Sequence, residues 1–151
     1  MARQKITPCL WFDRQAEEAA AFYASVFPDS RVTSVTPGPD GKALVVEFRL
    51  AGVRFLALNG GPQFTFNEAI SLSIDCRSQE EVDELWAKLS AGGSPGRCGW
   101  LKDRYGVSWQ VVPSVLPQLL ADPTKAGRVM QTLMGMTKLD VQALQAAADG
   151  G

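Results

Sequence analysis

The sequence predicts an α+β fold in which one strand-helix-strands module occurs twice and a helical tail follows. Segments with strand and helix character follow one another in the same order in residues 5–60 and again in residues 69–113. Residues 114–151 carry apolar side chains at helical spacing instead. We therefore expect residues 1–113 to form one domain of two modules, with residues 114–151 as a helical extension of that domain.

The first module begins with a strand and a helix. Lys5–Asp13 is rich in bulky residues, which favours a strand. Arg14–Pro28 is rich in alanine, has acidic residues in its first turn and ends at a proline, which predicts a helix. Three strands follow, the last two joined by a tight hairpin at Ala51-Gly52, over residues 30–38, 43–50 and 53–59.

The second module repeats this order. Ile70–Cys76 predicts a strand. Ser78–Gly93 predicts a helix that opens with a Ser-x-x-Glu capping box and ends at two glycines. Two further strands, Arg97–Asp103 and Gly106–Pro113, complete the module.

The two modules also align residue by residue. Arg14 and the helix after it fall on Arg77 and the second helix with one offset of 63 positions. Gly52 and the strand after it fall on Gly106 and the last strand with an offset of 54 positions. The offsets predict an internal duplication whose second copy is nine residues shorter in its hairpin region.

The tail predicts two helices. Asp122 is placed to act as an N-cap with Pro123 at the first helical position, and Lys138–Ala148 has the pattern of a second short helix. The apolar stripes of these helices need a surface to cover. Packing on the same sheet and packing on a second subunit both meet this need, and the sequence leaves both open.

Composition excludes several classes of function. The chain has 151 residues, a net charge of −1 and a sequence pI of 5.4, so it lacks the basic excess that nucleic-acid binding requires. Charged residues interrupt the longest apolar stretch, Ala43–Leu58, which is therefore not a membrane span. The N-terminus has no signal-peptide pattern, so we expect a cytoplasmic protein.

The chain contains no histidine, and its three cysteines form no CxxC pair. Nucleophiles activated by histidine and metal sites with histidine ligands are therefore excluded within one chain. Neither a zinc site nor a disulfide framework is indicated. No Gly-rich strand-turn-helix suited to an adenosyl cofactor is present in the sequence, and we expect no cofactor.

Several longer motifs give the chain a family resemblance. They are "LWFD", "AEEAAAFYASVFPDS", "LALNGGPQFTFNEAISLSIDC", "EEVDELW", "CGWLKDRYGVSWQVVP" and "RVMQTLMGMTKLDVQAL". With the twofold module, they resemble the PhnB-like branch of the vicinal oxygen chelate superfamily, which includes glyoxalase I, bleomycin-resistance proteins and extradiol dioxygenases. Members of this branch have also been labelled demethylubiquinone methyltransferase-like. The resemblance implies two curved half-barrel sheets around a cavity, and a homodimer.

The resemblance also implies where a metal would bind. Metal-using members of the superfamily place one ligand on the first strand and one on the last strand of each module. Here the last-strand positions are Leu56 and Gln110, and the first-strand positions are Pro8 and Ser71. An alignment error of one residue would replace the first-strand pair by neighbours from the set Thr7, Cys9, Ile70 and Leu72. Since a neutral amide binds divalent cations more weakly than a carboxylate, we expect no metal here.

The same region supplies candidates for contact with an organic ligand. Gln110 can donate and accept a hydrogen bond if it faces the cavity, and the loop after Asn59 carries aromatic rings of the kind that close over ligands. Packing of the sheet and core is the alternative role for the serines and the aromatic residues. The candidate ligand-binding residues are Gln110, Ser71, Ser73, Asn59, Phe64, Phe66, Asn67 and Trp100.

Three functions compete. The favoured one is a small-molecule-binding protein of bleomycin-resistance type whose pocket works without a metal. The second is a metal-dependent lyase, isomerase or dioxygenase, and the third is a methyltransferase acting on a quinone precursor. Metal content, turnover of dicarbonyl-thiol adducts and retention of adenosylmethionine discriminate among them.

Overall fold

The computed structural model describes residues 4–150, which divide after Phe66 into two compact units. The predicted α+β class is confirmed, because each unit contains a four-stranded mixed sheet and the chain ends in helices. None of the helices within residues 4–150 has the length and apolar character needed to cross a membrane.

The first unit pairs one sheet with one helix. Its strands are β1 (Cys9–Phe12), β2 (Arg31–Pro37), β3 (Ala43–Leu50) and β4 (Val53–Asn59), and its helix is α1 (Ala16–Val26). The strand order is β1-β4-β3-β2, with β1 parallel to β4 and the other pairs antiparallel. The hairpin predicted at Ala51-Gly52 is present, and both of its residues have the positive φ, 48° and 87°, that a type I′ turn requires.

Small side chains let α1 lie close against the first sheet. Ala16, Ala19 and Ala20 are fully buried, and the buried Tyr23 stacks on Phe48 of β3 with ring centroids 6.2 Å apart. Side chains alternate between the two faces of a strand, so this packing covers one face of the sheet and leaves the other without a helix.

The second unit repeats the topology of the first. Its strands are β5 (Leu72–Cys76), β6 (Ser94–Pro95), β7 (Trp100–Lys102) and β8 (Ser108–Pro113), and its first helix is α2 (Gln79–Ser90). The order is β5-β8-β7-β6, again with the outer strand β5 parallel to β8. α2 begins 63 positions after α1, as the internal alignment predicts.

In the second unit, one prediction is confirmed and one strand was not predicted. The capping box is confirmed, since Ser78 Oγ accepts from the Glu81 N–H at 3.2 Å and Glu81 returns a carboxylate oxygen to the Arg77 N–H at 3.0 Å. The strand β6 was missed, because two residues at a hairpin edge show no period of their own. This short hairpin is where the second module loses the nine residues.

The tail forms three helices, and the predicted start of one of them was wrong. They are α3 (Val115–Ala121), α4 (Ala126–Met134) and α5 (Val141–Ala148), of which α3 was not predicted. α4 begins at Ala126 rather than at Pro123, because Asp122 makes a local turn instead of a helix cap. Its carboxylate accepts from both the N–H and the hydroxyl of Thr124, at 2.9 and 2.7 Å.

The tail packs on its own unit. Its helices share a buried cluster, in which Val129, Leu139 and Leu144 are fully buried. The Cys98 and Gly99 N–H groups donate to the Met136 and Thr137 carbonyls, each at 2.8 Å. The tail therefore contacts its own chain, which is one of the two possibilities that the sequence left open.

Candidate functional site

Each unit offers a sheet face that its helix does not cover, which we call its open face. In the first unit the alternation of β3 and β4 places Glu47, Arg54 and Leu56 on the open face, since Val46 and Phe48 are buried under α1. In the second unit Leu101, Trp109 and Val111 are buried on the covered face. The residues that alternate with them along the strands lie on the second open face: Ser73, Trp100, Lys102, Ser108 and Gln110.

Gln110 lies on the second open face and is half-buried. Its Nε2 donates a hydrogen bond to Ser71 Oγ at 3.0 Å. Ser73 of β5 and Trp100 of β7 are its cross-strand partners on either side. Three of the predicted ligand-binding residues therefore flank Gln110 directly.

The register of the first unit corrects one position of the internal alignment. Leu56 lies beside Cys9 in the parallel β1–β4 ladder, as Gln110 lies beside Ser73 in the β5–β8 ladder. Counting back two residues from each partner pairs Ser71 with Thr7, not with Pro8. Thr7 and Ser71 also play the same part, because each hydroxyl accepts a hydrogen bond from a last-strand side chain.

The first open face carries an ion pair that the sequence reasoning did not nominate. Arg54 Nε donates to Glu47 Oε1 at 2.7 Å, and its Nη1 donates to Thr7 Oγ1 at 3.0 Å. Thr33 Oγ1 donates to the second oxygen of Glu47 at 2.8 Å. The hydrogen bond from Thr33, then that from Arg54, holds the pKa of the Glu47 carboxyl below its usual range. The sequence did contain a signal for this ion pair, because Glu47 and Arg54 are opposite charges within two adjacent, otherwise apolar strands.

Neither unit's pair of positions, Thr7 with Leu56 or Ser71 with Gln110, fits a divalent cation. The Leu56 side chain has no atom that can ligate a metal ion. The Thr7 hydroxyl accepts a hydrogen bond from the Arg54 guanidinium, whose positive charge repels a metal ion. Gln110 and Ser71 are neutral and hydrogen-bonded to each other. Within residues 4–150, no three His, Cys, Asp or Glu side chains are grouped to hold a metal ion. Hard divalent cations need several oxygen ligands, usually including carboxylates, and neither pair provides them.

The loop after β4 places its two phenylalanines against β1, an edge strand. Phe64 meets Trp11 edge-on with ring centroids 5.0 Å apart, and the Trp11 Nε1–H donates to the Gly61 carbonyl at 2.9 Å. Phe66 meets the buried Phe12 at 5.2 Å. Phe66 thus takes the packing role that the sequence offered as the alternative, whereas Phe64 remains 65% exposed.

The two candidate asparagines have local backbone partners. Asn59 Oδ1 accepts from the Ala16 N–H at 2.8 Å, and its Nδ2 donates to the Ala43 carbonyl at 3.0 Å. It therefore satisfies a free N–H at the start of α1 from a neighbouring strand, a role that only the fold reveals. Asn67 accepts from the Ala69 N–H at 2.9 Å in an exposed turn.

A cavity of about 490 Å³ opens in the second unit beside the β6–β7 hairpin. Trp100 and Ser108 of the second open face both line it. The remaining lining comes from the hairpin and from the segment before β5, namely Glu68, Ser94, Pro95, Gly96, Arg97, Leu101 and Lys102. Its volume lies in the range of small-molecule sites.

A buried carboxylate supports the turn that leads into β8. Asp103 accepts from the Tyr105 and Val107 N–H groups at 2.8 and 3.1 Å, and from Trp109 Nε1–H at 2.8 Å. Only 3% of Asp103 is exposed. The first half of the motif "DRYGVSWQ" therefore holds the strand that presents Gln110.

Comparison with known proteins identifies the family. Residues 4–112 match the family described as 3-demethylubiquinone-9 3-methyltransferase. The chain belongs to this family. A solved PhnB protein from Bacillus cereus, which carries the same description, is 34% identical to this family member. The alignment covers 73% of this chain and 99% of that one, with a TM-score of 0.68.

More distant structures share the fold of this PhnB-like protein. PA1353 from Pseudomonas aeruginosa is 20% identical over 74% of this chain and 98% of its own, with a TM-score of 0.61. The fosfomycin resistance protein FosX from Listeria monocytogenes, solved with Mn(II) and sulfate, is 17% identical over 72% and 90%, with a TM-score of 0.56. No curated protein matches the chain. The fold is that of the vicinal oxygen chelate superfamily.

We expect Asp103→Ala to lower the free energy of unfolding by about 2–4 kcal/mol, because the Tyr105 and Val107 N–H groups and the Trp109 indole N–H lose their buried acceptor. Urea denaturation measures this. The control is Asp40→Ala, whose carboxylate accepts from the Lys42 N–H in an exposed turn, and we expect it to cost less than about 1 kcal/mol. Equal effects of the two variants would contradict the role given to Asp103.

We expect Glu47→Gln to destabilise the protein more at pH 7 than at pH 3. The folded-state pKa of Glu47 is lowered, so its stabilisation is present above the ordinary value of 4.5 and is lost as the pH falls through the folded-state pKa. Urea denaturation of both proteins across this range measures the difference. Glu84→Gln, at an exposed pair with Lys88, should show little change, and a difference for Glu47→Gln that is independent of pH would refute the assignment.

Proposed function

We propose that the chain is a small-molecule-binding protein whose site works without a divalent metal. The observation that carries the proposal is the hydrogen bond between Gln110 and Ser71, the two positions of the second unit at which the family resemblance implies metal ligands. The equivalent residue of the first unit, Leu56, offers no donor atom. The polar groups of these positions are therefore suited to an organic ligand rather than to an ion.

The second open face has the character of an organic binding surface. Gln110 uses one amide N–H on Ser71, which leaves its second N–H and its carbonyl oxygen for a ligand. Trp100 supplies an aromatic wall beside it, and Ser73 adds a hydroxyl on the other side. A few convergent polar groups on an apolar wall are typical of small-molecule sites.

The remaining candidate residues lie outside the second open face. Phe64 presents an exposed ring on the first unit, and Asn67 makes a local turn in the second unit. Phe66 and Asn59 have structural roles within the first unit, where they fix the loop after β4 and the start of α1. We also propose that residues 1–113 act as one domain extended by residues 114–151. We further propose that the protein is a homodimer, and light scattering tests this oligomeric state.

Two alternatives rest on specific comparisons. FosX was solved with Mn(II), which favours a metal site in this fold, although a likeness at 17% identity extends to the fold alone. The family description names a methyltransferase, which favours binding of a methyl donor. Equilibrium dialysis against S-adenosylmethionine tests the second alternative, and saturable binding near one equivalent would favour it over ours.

We expect elemental mass spectrometry of tag-free protein to find less than about a tenth of an equivalent of metal per chain, because the site lacks anionic ligands. The protein is first incubated with nickel, zinc, manganese or iron(II). Gln110→Ala serves as the matched variant and should leave the metal content unchanged. Near one equivalent in the wild type, lost in Gln110→Ala, would show that this position binds metal and would overturn the proposal.

A further inference from the structure

We propose that the cavity beside the β6–β7 hairpin takes a planar aromatic ligand that bears one anionic group, held by Trp100, Ser108 and Arg97. The inference rests on the proposed function for the existence of a small-molecule site. It goes further by naming the class of ligand and by assigning two residues, Ser108 and Arg97, that neither the sequence motifs nor the metal positions nominate.

The first observation is a buried hydroxyl without a partner. Ser108 is 1% exposed and lines the cavity, and its Oγ makes no hydrogen bond to any of residues 4–150. A buried polar group left unpaired costs about 1–3 kcal/mol, so its retention calls for an explanation. A ligand oxygen that accepts from this hydroxyl, once the side chain turns to meet it, removes the penalty.

The second observation is an aromatic wall that is held in place. Trp100 is half-buried and lies on the same sheet face as Ser108, two residue pairs along the β7–β8 ladder. The Gly96 N–H donates to the Trp100 carbonyl at 2.8 Å, and a Cβ at Gly96 would lie 2.8 Å from that oxygen. Pro95 adds a rigid apolar surface. A flat ring that stacks on the indole matches this shape.

The third observation is the charge of the lining. Lys102 Nζ and Glu68 Oε1 form an ion pair at 2.6 Å, so these two charges offset each other. Arg97 is exposed at the rim and has no ion pair with any residue of the described chain, 4–150. The lining thus carries one uncompensated positive charge. A guanidinium recognises a carboxylate through two parallel hydrogen bonds, which favours a monoanion over a neutral or cationic ligand.

The probes are 2-naphthoate and its neutral counterpart 2-naphthylmethanol, measured by isothermal titration calorimetry in the presence of EDTA. We expect 2-naphthoate to bind about tenfold more tightly than 2-naphthylmethanol. Arg97→Gln should remove this difference by weakening only the anion. Trp100→Leu should weaken both probes by about tenfold or more.

Ser108→Ala separates a binding role from a structural one. Since it removes an unpaired buried hydroxyl, we expect the thermal midpoint of unfolding to stay level or rise while 2-naphthoate binding weakens several-fold. Arg31→Gln and Ser34→Ala, exposed on β2, are the matched controls. We expect them to change neither the thermal midpoint of unfolding nor the affinity for 2-naphthoate. Loss of binding together with loss of stability in Ser108→Ala would count against the assignment.

Failure of this inference is distinguishable from failure of the proposed function. If 2-naphthoate does not bind, or binds with no sensitivity to Arg97→Gln and Trp100→Leu, the aromatic-anion assignment is overturned. A parallel thermal-shift screen of a mixed compound library addresses the broader proposal. Stabilising compounds whose effect is lost in Gln110→Ala would then keep a metal-free small-molecule site at Gln110 while the cavity assignment falls.

Discussion

The burial of one face of each sheet under a single helix is the constraint on which the rest of the structure depends. In the first unit, closely packed alanines and the stack of Tyr23 on Phe48 fix which side of every strand is interior. Because side chains alternate, the polar groups that follow in sequence must occupy the opposite face. Arg54 and Gln110 therefore lie on the open faces.

The open faces of the two units share one hydrogen-bond arrangement but build it from different side chains. In both, a hydroxyl before the first strand accepts from a side chain of the last strand, Thr7 from Arg54 and Ser71 from Gln110. The first unit commits its groups to an ion pair with Glu47, whereas the second leaves part of the Gln110 amide unused. The duplicated topology is shared, and the unused part of the Gln110 amide is why we place the proposed organic-ligand site on the second unit.

The sequence was sufficient for the repeated module and not for the side-chain partners. Periodicity and capping residues predicted α1, α2 and the long strands, since each has a pattern of its own. Asp122 illustrates a limit, because the same residue favours a helix cap and a local turn. The cap made by Asn59, the pairing of Thr7 with Arg54 and the unpaired hydroxyl of Ser108 depend on register across distant strands, which one sequence does not specify.

The most direct test of the account is a Mn(II) titration followed in two-dimensional NMR spectra, with Gln110 and Trp100 side-chain N–H signals assigned. A bound paramagnetic ion broadens the signals of nearby nuclei first. The account predicts that the Gln110 side-chain amide stays as sharp as amides elsewhere on the surface. Selective loss of the Gln110 signal at substoichiometric Mn(II) would place a metal at this face and would contradict the central claim that its chemistry is that of an organic binding site.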